Sequence, residues 1–158
     1  MKKAVIAVPM GDPAGIGPEI VVKAVSKKEI QDIAKVVVIG DGKILEKAVE
    51  ICKVPIRLQK IEKIEELGEE KDTLYYMQEG EISMADFAYG KVSAMCGKAA
   101  FSYIKKSIEL ANERLVDAVA TTPINKESLK AAEVPFIGHT EIFGSLTNTE
   151  DPLTMFEC

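Results

Sequence analysis

The chain has 158 residues, 47% hydrophobic and 28% charged, a composition that suits one folded domain with room for a core. Its 20 basic and 25 acidic side chains leave a net charge of −5, and the basic residues are scattered, which excludes an electrostatic surface for nucleic acid. No apolar run approaches the ~20 residues that cross a bilayer, and residues 2–9 are too short for a secretory signal, so no membrane partner is expected and the cytoplasm is the default location.

Lys3–Pro9 predicts a strand buried on both faces, because Val5, Ala7 and Pro9 alternate with Ile6 and Val8. Pro18 and Glu19 then open a helix. Proline lacks an N–H that the first turn leaves unpaired anyway, and an early carboxylate complements the helix dipole. Ile20, Val21, Ala24 and Val25 are its expected buried face. A second strand, Lys35–Gly40, stops at Asp41–Gly42, and the helix over 43–52 carries Ile44, Leu45, Ala48, Val49 and Cys52 on one side. Residues 55–61 alternate like a strand, 61–72 form a charged, solvated excursion, and 73–77 form a further strand.

Ser93–Arg114 is the strongest helix, with Ala94, Gly97, Phe101, Ile104, Ile108, Ala111 and Leu115 in one stripe at three-four spacing. A strand over 116–121 leads to Asn125, which suits a helix cap and a binding residue equally, and to a short helix carrying Leu129. A polar turn over 135–140 precedes a helix over 141–146, and residues 153–156 resemble the start of a strand. Strands alternating with helices predict an α/β class: three αβα layers around a mainly parallel sheet. Cys52, Cys96 and Cys158 share no CxxC spacing and are odd in number, so they read as free thiols, and Cys52 and Cys96 as packing residues.

The segment MGDPAGIGPEI, residues 10–20, holds three glycines between two apolar runs. A loop of this kind at the carboxyl end of a strand faces the binding crevice of α/β proteins. It is neither a Rossmann fingerprint, since Ile20 stands where the third glycine belongs, nor a Walker loop, since no Lys-Ser/Thr pair follows. The expectation is a ligand-facing loop whose glycines let backbone approach the ligand. Asp12 could orient the loop, cap it through its backbone or contact ligand, and the sequence does not choose.

PMGDPAGIGPEI resembles the N-terminal signature of the 4-hydroxythreonine-4-phosphate dehydrogenase family and, more distantly, a loop of the isopropylmalate and isocitrate dehydrogenases. DAVATTPINKESLKAAEVPFIGHTEIF, residues 117–143, resembles a second family block. GKVSAMCGKAAFSYIKKSIELA between them is similar to the family's long helix with its preceding Gly-Lys. The resemblance implies oxidation of a phosphorylated hydroxy acid by NAD, with a divalent metal lowering the pKa of the reacting alcohol. In the pyridoxal phosphate branch the substrate is 4-phosphooxy-L-threonine, and decarboxylation follows. A sister branch acts on 4-phospho-D-threonate or 4-phospho-D-erythronate, and these 158 residues do not separate the two.

By the same resemblance His139 and Thr140, in Gly-His-Thr-Glu, are substrate contacts; Lys126 and Asp12 are further ligand-facing candidates. No cofactor-binding residue is assigned. Family members are homodimers about twice as long, with three metal-binding histidines downstream of this motif. His139 is the only histidine here, so the metal ligands are expected in a C-terminal half. The chain therefore reads as an N-terminal half: most of a first α/β domain, with the start of a second near residues 120–158. Its end at residues 156–158 would fall in or beside a strand, and the surface a second half normally covers would be exposed, favouring association or instability. A non-catalytic chain that binds a phosphorylated ligand is the remaining alternative.

Overall fold

Parallel sheets are buried on both faces, so their strands are runs of branched apolar residues, and β1 (Ala4–Pro9) and β2 (Ala34–Gly40) are built this way. The computed structural model describes residues 3–155. β3 (Arg57–Lys60), β4 (Thr73–Gln78) and β5 (Ala118–Val119) complete one sheet in the order β3-β4-β2-β1-β5, every pairing parallel. Helices α1 (Gly17–Val25), α2 (Lys28–Ile33), α3 (Gly42–Cys52), α4 (Ala94–Asn112), α5 (Lys126–Ala131) and α6 (His139–Leu146) connect and follow the strands. The chain winds leftward from β1 through α1 and α3, then returns across the sheet through α4 to β5. Right-handed crossovers put α1 and α3 on one face and α4 on the other. The expected αβα layering is present. No helix among the described residues is long and apolar enough to cross a membrane.

The core is centred on Ala7, Val37, Val38, Ile39 and Leu74 of the sheet, with Val21, Val22, Ile44 and Leu45 on one side and Tyr103 and Leu110 on the other. A smaller cluster, Ile104, Ile108 and Ile142, joins the outer side of α4 to α6. Because α4 lies between the sheet and α6, its buried arc is broader than the expected stripe. Ala100, Tyr103, Ser107 and Leu110 are buried, while Ala94 and Leu115 are exposed.

Several expectations are corrected. The buried face of α1 is Val21, Val22 and Val25; Ile20 is 40% exposed and Ala24 only partly buried, because nothing lies over that side of the helix. The short helix α2 has no side-chain cap and was not expected. β5 has two residues instead of six, since it pairs only with Ile6 and Ala7. α6 starts two residues earlier than expected, with Gly138 extended at its N-cap. Residues 153–155 form no strand; Phe156, Cys158 and the expected terminal strand at 156–158 lie outside the described residues.

Helix ends also depart from the usual pattern. Past the ends of α3, α4, α5 and α6 the chain turns through the left-handed region at Lys53, Arg114, Glu133 and Asn148, where glycine is usual.

Candidate functional site

All five strands run the same way, so the loops after β1, β4 and β5 gather at one end of the sheet. The chain leaves β1 toward one face and β5 toward the other, which makes the gap between them a topological switch point, where α/β proteins bind ligands. The opening loop and the segment after β5 meet there. Thr122 donates its hydroxyl to the Pro9 carbonyl at 2.8 Å, and the Asp12 N–H donates to the Pro123 carbonyl at 3.1 Å.

Asp12 is 3% exposed, and its Oδ1 accepts the Ala14 N–H at 2.8 Å, an Asx turn that shapes the loop. Burial raises its pKa above the ordinary 3.8; the Ala14 N–H and the Ser128 hydroxyl oppose that shift only in part. Ser128 in turn accepts the Ser93 N–H at 3.3 Å, at the N-cap of α4. The Gly90 N–H donates to the Ala14 carbonyl at 2.8 Å. One buried carboxyl thus stands where three loops are tied together. Behind them burial pushes the Cys96 thiol up, consistent with a packing role.

Two of the three glycines in the opening loop, Gly11 and Gly17, are packed tightly against other backbone. Gly11 has φ +80°, and a Cβ there would lie 2.4 Å from the Pro123 carbonyl oxygen. A Cβ on Gly97 in α4 would lie 1.9 Å from the Ser128 carbonyl oxygen. Both keep protein backbone close to protein backbone. Gly15 is the opening-loop glycine that borders open space.

That space is two adjoining recesses. The first, about 440 Å³, is bordered by Asp12, Gly15, Gly90, Lys91 and Asn125. The second, about 500 Å³, is bordered by Ile137, His139, Thr140 and Glu141. Lys126, Pro123 and Ile124 border both. Asn125 is a helix cap as well as a lining residue, since its Oδ1 accepts from Glu127 N–H at 2.9 Å and Ser128 N–H at 3.1 Å. Glu141 accepts the Ile137 N–H at 2.7 Å and so holds the turn that presents His139 and Thr140.

His139 is the first residue of α6. Burial lowers its pKa below the ordinary 6.5, partly offset by a hydrogen bond to the Thr122 backbone. Its Nε2 is buried without a partner among the described residues, although the residue itself borders the second recess. Thr140 and Lys126 are exposed. Of the four residues expected from sequence, Lys126, His139 and Thr140 share one recess and Asp12 lies in the other, reached through Lys126. Lys91, Ser93 and Ser128 were not expected to matter. Gly90-Lys91 was visible as a pair, but nothing in the spacing shows that it returns to the opening loop.

Among the described residues no group of three histidine, cysteine or acidic side chains is arranged to hold a metal ion. The residues here therefore do not fit a divalent metal by themselves.

A parallel α/β sheet whose chain reverses direction at a recessed switch point is a doubly wound α/β fold. The family model of the pyridoxal phosphate biosynthetic protein PdxA matches residues 32–158, and the chain belongs to this family. A Fusobacterium nucleatum protein, provisionally named a D-threonate 4-phosphate dehydrogenase, is 59% identical over 152 residues, covering 96% of this chain and 46% of its own. A Halalkalibacterium halodurans protein of the same provisional name is 55% identical over 156 residues, 99% of this chain and 47% of its own. The crystal structure of a 4-hydroxythreonine-4-phosphate dehydrogenase from Burkholderia phymatum superposes with a TM-score of 0.91 at 37% identity, over 96% of this chain and 46% of that one. The chain thus spans about half the length of the relatives it matches, and these relatives are named as dehydrogenases.

Proposed function

We propose that these residues form the substrate-holding half of an NAD-dependent dehydrogenase acting on a phosphorylated hydroxy acid, with 4-phospho-D-threonate as substrate. The observation that carries this reading is that His139, Thr140 and Lys126 border one open recess, with the His139 Nε2 buried behind its wall without a partner among the described residues. An anionic phosphate or carboxylate there meets an imidazole, a hydroxyl and an ammonium, all able to donate hydrogen bonds. The sugar-acid substrate is preferred over 4-phosphooxy-L-threonine because the relatives at 59% and 55% identity carry the D-threonate name, against 37% for the hydroxythreonine enzyme.

The Thr122 backbone beside His139 favours the protonated ring, against the burial that favours the neutral one. A substrate anion stabilises the protonated ring, and the protein takes up a proton as the anion binds. Lys126 adds a charge that both recesses share. Asp12 holds the loop and, in this reading, positions the first recess instead of touching substrate. NAD accepts the hydride in the complete enzyme, which we read as a homodimer with its metal ligands in the second half. No step here is routed through that metal. Residues 120–155 are read as the beginning of the second domain.

Calorimetric titration of the 158-residue chain tests the reading. The expected order is 4-phospho-D-threonate, then 4-phosphooxy-L-threonine, then inorganic phosphate, with His139→Ala weakening the first at least tenfold. Equal binding by His139→Ala and the parent chain would sink it. Tighter binding of the amino acid would shift the reading to the pyridoxal branch. NADH formation, followed by absorbance, is expected only when the second half is supplied.

A further inference from the structure

Three charged side chains border the first recess: Asp12, Lys91 and Lys126. Lys91 sits on a pinned stretch of chain. On one side the Gly90 N–H donates to the Ala14 carbonyl at 2.8 Å, and on the other the Ser93 N–H donates to the Ser128 hydroxyl at 3.3 Å. Lys91 and Lys126 are both exposed, and neither pairs with a carboxylate among the described residues. Asp12 does not offset them, because it is 3% exposed and its Oδ1 already accepts the Ala14 N–H. Glu141 borders only the second recess, where it accepts the Ile137 N–H. A ligand entering the first recess therefore meets two open ammonium groups and, among the described residues, no open carboxylate.

The two candidate substrates differ beside the reacting alcohol, with a hydroxyl in 4-phospho-D-threonate and an ammonium in 4-phosphooxy-L-threonine. We propose that Lys91 is a specificity-determining residue which, together with Lys126, admits the hydroxy acid and rejects the ammonium-bearing one. This role rests on the reading of the two recesses as the substrate site. With phosphate held at His139 and Thr140, the carboxylate and the carbon beside it extend past Lys126 into the first recess. There the lysines attract the carboxylate of either ligand, and only the amino acid adds a positive charge that they repel. Selectivity between such similar ligands comes as readily from a repulsive group as from an attractive one. Like charges about 5 Å apart in a partly solvated site repel strongly enough to change affinity roughly tenfold.

Calorimetric titration of both ligands into the parent chain and its Lys91 variants reads the ratio of their dissociation constants. The parent is expected to favour the hydroxy acid by about tenfold or more, Lys91→Met to lower that ratio roughly tenfold, and Lys91→Glu to lower it further. Lys91→Arg keeps the charge and is expected to hold the ratio within about twofold. Lys98→Met, exposed on α4 and outside both recesses, is expected to leave it unchanged. Binding of both ligands with a ratio that Lys91→Met and Lys91→Glu do not move would overturn the role of Lys91 and leave the substrate site standing. So would a Lys91→Arg variant that loses the preference as fully as Lys91→Met, since that outcome assigns selectivity to shape. A parent chain that binds neither ligand would overturn the substrate reading of the recesses, and the role of Lys91 with it.

Discussion

The two borders of the double recess are built in opposite ways. The opening loop is pinned by its own chain: Asp12 to Ala14, Asp12 to Pro123, Thr122 to Pro9 and Gly90 to Ala14. The turn before α6 is held from within by the Glu141 bond to Ile137, and it leaves Thr140 exposed and the His139 Nε2 without a partner among the described residues. A motif rich in glycine therefore works here as framework, and the plainer Gly-His-Thr-Glu keeps polar groups free. Substitutions on the first border are expected to move stability. Those on the second are expected to move binding.

The largest effect is expected at Gly97. A methyl there would overlap the Ser128 backbone, so α4 and α5 must separate, at a cost of about 3 kcal/mol or more, a large part of a typical domain's stability. Urea unfolding of Gly97→Ala measures it, and a loss below about 0.5 kcal/mol would mean that the contact yields. Gly11→Ala is expected to follow closely, combining a left-handed backbone with a clash against Pro123.

His139 supplies the contrast. His139→Ala is expected to leave the urea midpoint nearly unchanged while abolishing the proton uptake that accompanies anion binding. Titrations in buffers of different ionisation enthalpy read that uptake. Burial holds its folded pKa below 6.5, so the neutral imidazole favours folding above 6.5, and that contribution is lost as pH falls through 6.5 toward the folded value. A binding enthalpy independent of buffer would remove His139 from contact with the anion.

The smallest effect belongs to Asp12. Its folded pKa is raised, so its contribution is intact below 3.8 and is lost as pH rises through the folded value, above which the carboxylate is a buried charge. Asp12→Asn keeps an acceptor for Ala14 and removes the charge. It is therefore expected to melt higher than the parent above the folded pKa of Asp12, with the difference shrinking as pH falls toward 3.8. A lower melting temperature at every pH would show that the loop needs the carboxylate itself.

Much of the fold was legible because its signals are local. β2 is an uninterrupted valine run, α3 has its apolar side in register, and Asn125 stands where a cap belongs. The misses share a cause: they depend on what lies over an element. Ile20 and Ala24 have the right period for burial, but no layer covers them, and Tyr103 is buried because α4 is sandwiched. The site was legible as motifs and not as geometry. No spacing shows that Ser128 comes up beside Asp12, or that Lys91 borders the same recess as Lys126.

The helix ends without glycine have a consequence for anyone who works with this protein. Lys53, Arg114, Glu133 and Asn148 are exposed, well separated in sequence, and distinct from the recess-bordering side chains. Relaxing each to glycine should gain roughly 0.5–1 kcal/mol, least at Asn148, and independent gains of this kind add. Four surface positions thus offer a thermostability reserve, a way to make a sturdier reagent without touching the chemistry.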